Sequence, residues 1–265
     1  MLLVIDVGNT SISCGIFSND TLIKKFVLAS DKNRSIDEYG VIIKSILDEN
    51  SIDLNQIKNA IIASVVVPLT EVIKSAVEKY IGTECLKLTY KINTEIIYKT
   101  DNPKEIGADR IANARAVKEL YPNKNCVVVD FGTATNFDVV TKNGEFLGGI
   151  IAPGIGISAQ ALNNCTSLLP KVRIEKPKKI IGGNTIDAIL SGLVLGHAGM
   201  IDGLLEGIES ELGEKIVVVA TGGYSELLAG YIKRKFDYIV PELTLIGLKH
   251  IFYSNKANFA ENIKI

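Results

Sequence analysis

The sequence predicts an α/β protein whose two halves open in the same way. In each half, three short apolar strands come first and are followed by helices that alternate with strands. The first strand of each half ends at an aspartate, Asp6 or Asp130, which is followed two residues later by a glycine. A bridging helix over residues 108–120 separates the halves, so we expect one domain over residues 1–115 and another over residues 116–265.

The first half is predicted to run strand-strand-strand-helix-strand-helix-strand. Ser35 and Glu38 form a capping box at the start of the first helix, and Gly82 ends the second helix. Pro68 is expected to stop the fourth strand. The predicted strands with defined bounds cover residues 2–6, 11–17, 22–28 and 60–67, and the helices cover residues 35–49 and 70–81.

The second half repeats this opening and then becomes more helical. A strand ends at Asp130, a second covers residues 137–141, and a hairpin turn at Asn143 and Gly144 leads into a third over residues 146–152. The predicted elements that follow are helices over residues 153–163 and 185–212, a strand over residues 216–220 and a closing helix-strand-helix.

Composition excludes several classes of function. The net charge is −1 and the lysines and arginines are not clustered, so we expect no nucleic-acid partner. The four cysteines form no CxxC pair and there are two histidines, which argues against zinc; Cys14 and Cys126 are expected to be buried thiols. No signal peptide precedes the first strand and no uninterrupted apolar run approaches the ~20 residues that span a bilayer. We therefore expect a cytoplasmic protein without a membrane partner.

The turns after Asp6 and Asp130 are candidate phosphate loops. In each, the glycine permits close approach of the backbone to a ligand, and small polar residues follow it. Backbone N–H groups in such a turn can cradle phosphate oxygens, and the aspartate can hold a hydrated Mg²⁺. Each turn alone is also good chemistry for an ordinary β-turn, but two similar turns favour phosphate binding. Neither fits a Walker A loop or a dinucleotide-binding fingerprint.

The segment from Asp101 to Arg110 carries the strongest indication of chemistry. Asn-Pro breaks regular structure, and Gly107 leads into a helix whose first turn contains Asp109. Asp109 could simply complement the helix dipole, or it could take a proton from a hydroxyl that attacks a γ-phosphate. Arg110 could bind a substrate carboxylate through two parallel hydrogen bonds.

The paired loops resemble those of the superfamily of acetate and sugar kinases, Hsp70 and actin. That resemblance implies two ribonuclease-H-like domains with mixed sheets around an interdomain nucleotide cleft. It also implies that Thr221-Gly222-Gly223 contacts the adenosine part of ATP, although the same residues suit a plain strand-to-helix turn.

Within that superfamily, the sequence resembles the type III pantothenate kinases over residues 1–225. The matching motifs are Asp6 to Thr10, Asp101-Asn102-Pro103 with Gly107-Ala108-Asp109-Arg110, Asp130 to Thr135, Gly148 to Gly154 and Gly182 to Thr185. The resemblance implies ATP-dependent phosphorylation of pantothenate, the first step of coenzyme A biosynthesis. It also implies a homodimer in which Thr185 reaches pantothenate across the interface.

The resemblance further implies roles for individual residues. Asp109 is the implied general base, Asp130 holds a monovalent cation, K⁺ or NH₄⁺, and Asp6 holds Mg²⁺ through water. The implied pantothenate contacts are Gly107, Ala108, Asp109, Arg110 and Thr185, and the implied ATP contacts are Asp6, Val7, Gly8, Asn9, Thr10, Ser11, Ile12, Ser13 and Thr133.

One position departs from the family pattern. The family often has tyrosine directly before Asp-Asn-Pro, whereas this chain has Thr100 there and Tyr98 two residues earlier. Alternation along a strand places both on one face, so both are candidate pantothenate contacts. Three other hypotheses remain: a sugar or carboxylate kinase of the same superfamily, a nucleotide-sensing regulator without catalysis, and an ATP hydrolase.

The long predicted helix over residues 185–212 carries two further features. His197 is expected to be a core or interface histidine rather than a catalytic one. Gly196, Gly199 and Gly203 place small residues along the helix, which indicates either close packing within the chain or a dimer face.

Overall fold

The computed structural model describes residues 1–262, with side chains up to residue 257, and the chain forms two compact units. The first unit contains Met1–Leu120 together with the described residues from Leu243 onwards, and the second contains Tyr121–Glu242. This division differs from the predicted one in two respects. The first unit extends to residue 120 rather than 115, and the C-terminal helix belongs to the first unit rather than to the second.

The first unit is built on a five-stranded mixed sheet in the order β3-β2-β1-β4-β5. The central strand β1 pairs antiparallel with β2 and parallel with β4. Side chains alternate along β1, so Leu3, Ile5 and Val7 face one core while Leu2 and Val4 face another. The strands are β1 Leu2–Val7, β2 Ser11–Ser18, β3 Thr21–Ala29, β4 Asn59–Ser64 and β5 Cys85–Lys87.

Helices cover both faces of this sheet. The helices α1 and α2 pack on the side of Leu3 and Ile5, and α3 packs on the side of Leu2 and Val4. The predicted capping box is confirmed, since the hydroxyl of Ser35 and the carboxylate of Glu38 each accept the other residue's N–H. The elements are α1 Ile36–Glu49, α2 Val67–Ile81, a short strand β6 Ile97–Tyr98 and α3 Ala108–Leu120.

The prediction at Pro68 was wrong. The strand β4 ends at Ser64, and Pro68 lies in the first turn of α2 rather than after a strand. Proline suits this position, because the N–H groups of a helix's first turn have no partner within the helix.

The second unit repeats the sheet arrangement of the first. Its strands run in the order β11-β10-β7-β8-β9, with β7 antiparallel to β8 and parallel to β10. The mixed sheet therefore has the same pattern around its central strand in both units, as the repeated opening predicted. The strands are β7 Cys126–Phe131, β8 Ala134–Val140, β9 Glu145–Pro153, β10 Val217–Gly222 and β11 Tyr238–Ile239.

Three helices complete the second unit: α4 Ile155–Asn164, α5 Thr185–Leu212 and α6 Ser225–Ala229. The helix α5 is long and apolar enough to cross a membrane, although its sequence contains no uninterrupted apolar run of that length. Half of its most apolar 18-residue stretch is buried, and Val194, Ile201 and Leu205 belong to the core of this unit. A helix in the core of a protein can be equally long and apolar, so the length and hydropathy of α5 are only weak support for a membrane protein.

The C-terminal helix α7, Leu243–Asn262, returns to the first unit and packs against α3. A Cβ at Gly247 would lie 1.8 Å from the carbonyl oxygen of Ala112, so the two helices meet backbone to backbone. The hydroxyl of Thr244 donates to Oδ1 of the buried Asn113 at 2.8 Å. Leu248 and Phe252 are fully buried in the same core. These contacts explain why residues 243–262 do not belong with the second half.

Candidate active site

The first phosphate loop is a tight turn between β1 and β2. The N–H of Gly8 donates to the carbonyl oxygen of Ser11 at 3.0 Å, which closes the turn. A Cβ at Gly8 would lie 3.2 Å from that oxygen, so glycine relieves a close approach. Asn9 and Thr10 are exposed at the tip, while Asp6 is partly buried at the end of its strand. The turn therefore presents its backbone to solvent, as a phosphate cradle requires.

Ser30 supports this loop and was not identified from the sequence. It follows β3 directly, and its hydroxyl donates to the carbonyl oxygen of Gly8 at 2.5 Å. Its N–H donates to the carbonyl oxygen of Thr10 at 3.1 Å. The signal that could have found it is hairpin register, because Ala29 on β3 pairs with Ser11 on β2.

The segment before α3 holds Asp109 in a defined position. One carboxylate oxygen, Oδ1, accepts the N–H of Arg110 at 2.8 Å. A Cβ at Gly107 would lie 2.4 Å from this oxygen, so any other residue there would force the carboxylate out of this position. Upstream, the side chain of Asn102 accepts the N–H of Lys104 and donates to Glu105, which shapes a single 3₁₀ turn. The predicted role of Gly107 at the helix entry has a specific steric basis.

Burial raises the pKa of Asp109 above its ordinary value. The hydrogen bond from the N–H of Arg110 and the positive charge of Arg110 oppose this effect but do not cancel it. A carboxylate that is partly removed from water is a stronger base than one in solution. The side chain is therefore both fixed and suited to accept a proton.

Val65 joins the first loop to the Asp109 segment. Its N–H donates to the carbonyl oxygen of Val7 at 3.1 Å, and its Cγ1 would lie 3.4 Å from a Cβ at Gly107. Asp6 follows Leu2 and Val4 in the alternation of β1, on the face that α3 covers. The first unit thus brings the Asp6 loop and the start of α3 to the same part of its sheet. From the sequence, Val65 was predicted only as part of the apolar strand over residues 60–67.

The two candidate substrate residues near β6 differ in their hydrogen bonding. The hydroxyl of Tyr98 lies 2.7 Å from that of Thr94, and burial raises the pKa of Tyr98. The hydroxyl oxygen of Thr100 is buried and has no hydrogen-bond partner among the described residues. A buried hydroxyl without a partner is rare in proteins, so Thr100 is the better candidate for a ligand contact.

The second phosphate loop joins β7 to β8 and is supported from β9. The N–H of Gly132 donates to the carbonyl oxygen of Ala134, and the N–H of Gly154 donates to that of Thr133, both at 3.1 Å. A Cβ at Gly154 would lie 2.2 Å from the Thr133 oxygen, so this support needs glycine. Thr133 is exposed, and Asp130 is partly buried at the strand end.

The predicted adenosine turn lies on the strand next to this loop. In the parallel pairing of β10 with β7, Thr221 is the partner of Asp130 and Gly222 is the partner of Phe131. Gly222 has a φ of 87°, and a Cβ there would lie 2.6 Å from the Phe131 backbone. The hydroxyl of Ser225 donates to the Gly222 carbonyl oxygen at 2.8 Å. The second unit therefore places the predicted cation and adenosine residues at neighbouring strand ends.

Thr185 is the first residue of α5 and is exposed. The helix is capped by Asn184, whose side chain accepts the N–H of Asp187 at 2.9 Å, so the cap does not use Thr185. Around this start, apolar side chains are exposed, including Ile180 at 77% and Ile181 at 78%. Thr185 therefore lies at the surface beside exposed apolar side chains.

His197 is a satisfied core histidine, as predicted. Its Nε2 lies 3.1 Å from the hydroxyl of Thr135, and both side chains are buried. Burial lowers the pKa of His197, which favours the neutral ring. Cys14 and Cys126 are also buried as predicted, and burial raises the pKa of Cys126 to about 12. Among the side chains that the structure describes, which reach residue 257, no group of three or more His, Cys, Asp or Glu could hold a metal ion.

Known proteins with similar sequences belong to the family that the motifs of this site resemble. The family model described as type III pantothenate kinase matches residues 2–207. A type III pantothenate kinase from Dehalococcoides mccartyi (strain CBDB1) is 43% identical over 255 residues, which span 96% of this chain and 96% of the relative. The resemblance predicted from the motifs is confirmed.

Solved structures agree on the fold. A conserved Baf family protein from Campylobacter jejuni, described as a transcriptional activator, matches with a TM-score of 0.60 at 22% identity, covering 96% of this chain and 99% of its own. An activator of 2-hydroxyisocaproyl-CoA dehydratase from Clostridium difficile, solved with bound ADPNP, matches with a TM-score of 0.54 at 12% identity, covering 98% and 97%. The predicted fold class, that of actin-like ATPases and sugar kinases, is confirmed. Because the family model matches residues 2–207 and the relative from Dehalococcoides mccartyi matches over nearly the full length of both chains, the chain belongs to the type III pantothenate kinase family.

Proposed function

We propose that this chain transfers the γ-phosphate of ATP to the 4′-hydroxyl of pantothenate with Asp109 as the general base. As a member of its family, the chain is an ATP-dependent pantothenate kinase of coenzyme A biosynthesis. The observation that carries the assignment of the base is the position of the Asp109 carboxylate. Gly107 leaves space for it, the N–H of Arg110 binds it, and burial raises its pKa.

The proposed reaction is an in-line displacement at phosphorus. The hydroxyl oxygen of pantothenate forms a bond to the γ-phosphorus while the bond to the β-γ bridging oxygen breaks and ADP leaves. The hydroxyl proton passes to the carboxylate of Asp109. The protein contributes chiefly position and electrostatics, because phosphoryl transfer needs little other covalent chemistry from it.

Pantothenate is proposed to lie against the start of α3. The guanidinium of Arg110 would bind its carboxylate, and Gly107 and Ala108 would let the substrate approach the backbone. The buried hydroxyl of Thr100 would contribute a hydrogen bond. Tyr98 would contribute mainly shape, since its hydroxyl already pairs with Thr94.

ATP is proposed to bind through both phosphate loops. The backbone of residues 6–13 and the exposed Thr133 would contact its phosphates. Asp6 fits a Mg²⁺ held through water, because it is one partly buried carboxylate beside exposed backbone rather than part of a cage of ligands. Asp130 is proposed to hold K⁺ or NH₄⁺. When bound, these cations would neutralise the charge of the phosphates.

The chain is proposed to act as a homodimer through α5. Five glycines of this helix are exposed, and no described residue lies within 4 Å of a Cβ built at any of them. They fall within an arc of about 80° on the helix surface. Each glycine destabilises a helix by about 1 kcal/mol relative to alanine. A glycine-rich face that packs on none of the described residues therefore favours close approach of a second helix. The five are Gly192, Gly196, Gly199, Gly203 and Gly207.

This dimer would explain how Thr185 reaches pantothenate. Thr185 begins the same helix, beside the exposed Ile180 and Ile181. A second chain that packs on this face would cover those apolar side chains and receive Thr185. We further propose that the protein acts in the cytoplasm without a nucleic-acid or membrane partner.

A coupled assay of ADP release tests the function. With pantothenate and MgATP, we expect turnover in K⁺ or NH₄⁺ buffer and little turnover in Na⁺ buffer. ADP release that needs no pantothenate would indicate an ATP hydrolase instead. Phosphorylation of sugars but not of pantothenate would contradict the proposal, and equal rates in K⁺ and Na⁺ would contradict the cation site alone.

A further inference from the structure

A hydrogen-bonded clamp holds the first phosphate loop from one side. The hydroxyl of Ser30 binds the carbonyl oxygen of Gly8, and its N–H binds that of Thr10, so one residue fixes the backbone on both sides of Asn9. In a planar trans peptide, the N–H points opposite to the carbonyl. Engaging the Gly8 carbonyl therefore turns the N–H of Asn9 away from Ser30, to the side where the exposed tip can meet a ligand.

Tyr39 holds Ser30 in turn. Its side chain is fully buried on α1, and its hydroxyl accepts the N–H of Asp31 at 2.9 Å. The same hydroxyl lies 3.1 Å from the carbonyl oxygen of Ala29 and 2.9 Å from that of Asp31, and it can donate its proton to either oxygen. The backbone on both sides of Ser30 is thus tied to the core of the first unit. No other residue type offers a hydroxyl at the end of so rigid a side chain.

We propose that Ser30 is a positioning residue for ATP, which sets the peptide orientation of the Gly8–Thr10 turn, and that Tyr39 fixes Ser30 from the core. This inference rests on the proposed function, because it takes this turn to be an ATP loop. Neither residue is proposed to touch the reacting atoms. Their effect is to keep the N–H of Asn9 oriented before ATP arrives, so that binding does not have to order the turn.

ATP binding measured by calorimetry without pantothenate tests the clamp. Ser30→Ala should raise the Kd for ATP by roughly tenfold, as expected when a hydrogen bond is lost and a carbonyl is left without a partner. In kinetic assays, KM for ATP should rise in parallel, with kcat at saturating ATP and KM for pantothenate changed less than threefold. Ser30→Thr, which keeps the hydroxyl, should restore the Kd to within roughly threefold of wild type. Ser45→Ala, at an exposed serine of α1, is the matched control and should leave it unchanged.

Tyr39→Phe provides a second test that does not depend on Ser30→Ala folding. It removes the hydroxyl and leaves the packing of the ring, and it should raise the Kd for ATP by roughly threefold or more. A lower melting temperature with an unchanged Kd in both variants would show a structural role only and would overturn the clamp. If wild type binds ATP but does not phosphorylate pantothenate, the proposed substrate fails, while the Kd values still decide the clamp.

Discussion

The carboxylate of Asp109 lies where the missing side chain of Gly107 leaves space for it, and the N–H of Arg110 binds one of its oxygens. Both contacts come from residues adjacent in sequence, so this part of the site is encoded locally. What the sequence could not show is the burial that raises the pKa of Asp109. That depends on the rest of the first unit.

Asp109→Asn should lower turnover by roughly 10²–10⁴-fold, because a positioned base is removed. The amide oxygen can still accept the N–H of Arg110, and the Kd for ATP should not change. Asp48→Asn, at an exposed carboxylate of α1 outside the site, is the control and should retain turnover. Unchanged turnover in Asp109→Asn would exclude Asp109 as the base.

The pH dependence of kcat/KM should show an acid limb from Asp109. The base must be deprotonated, so activity should fall as the pH drops through a pKa above the ordinary aspartate value. The raised pKa of Asp109 also makes the stability of the fold depend on pH, and this stability falls with rising pH whereas activity increases. The folded protein binds this proton more readily than the unfolded chain, so wild type should lose stability relative to Asp109→Asn as the pH rises through that pKa. Denaturant unfolding of both proteins between pH 4 and pH 8 measures this difference; an acid limb that persists in the residual activity of Asp109→Asn would assign it to another group.

At the scale of elements, the ends of β1, β7 and β10 carry the candidate ATP residues. Their turns depend on glycines for different reasons: Gly8 for a close carbonyl, and Gly222 for a left-handed backbone against Phe131. The strand and helix types followed from apolar patterns and caps, and α5 covers the predicted residues 185–212. The element boundary at Pro68 did not follow, because proline is compatible both with the end of a strand and with the first turn of a helix.

Gly222→Ala should destabilise the protein by at least about 2 kcal/mol, because alanine resists a positive φ and its Cβ would overlap the Phe131 backbone. The Kd for ATP should rise as well if the turn contacts adenosine. The neighbouring Gly223→Ala is the matched control: no described residue lies within 4 Å of its Cβ, and we expect a change within about 0.5 kcal/mol. Denaturant unfolding compares the two variants, and equal stabilities would contradict this account of the turn.

At the scale of the whole molecule, each unit carries one of the phosphate loops on a sheet of the same design. The return of α7 to the first unit breaks this symmetry along the chain. Leu248 and Phe252 complete the core on the side of the sheet that α3 covers, so the first unit needs a segment from the far end of the sequence. In the second unit, the glycine face of α5 is exposed and none of the described residues covers it.

Gly199→Leu should convert the proposed dimer to monomers, because the leucine side chain prevents close approach of a second α5. Within the described chain nothing lies near this position, so folding should be maintained and helix propensity improved. Light scattering after gel filtration measures the mass, and KM for pantothenate should rise if Thr185 acts across the interface. Lys215→Leu adds the same side chain at an exposed site beyond α5 and should leave the mass unchanged. A Gly199→Leu protein that remains dimeric would place the interface elsewhere.

The sequence by itself determined the features that neighbouring residues control. The two aspartate-glycine turns, the capping box at Ser35 and the start of α3 at Ala108 all follow from local backbone preferences. The two turns indicated the fold class, and together with the motif that ends in Asp109 and Arg110 they indicated the family. Only the tertiary structure decided that Ser30 and Val65 support the first loop, that α7 joins the first unit and that Asp109 is buried enough for its pKa to rise. The physical reason is that these effects come from contacts between residues far apart in the chain, which no local pattern records.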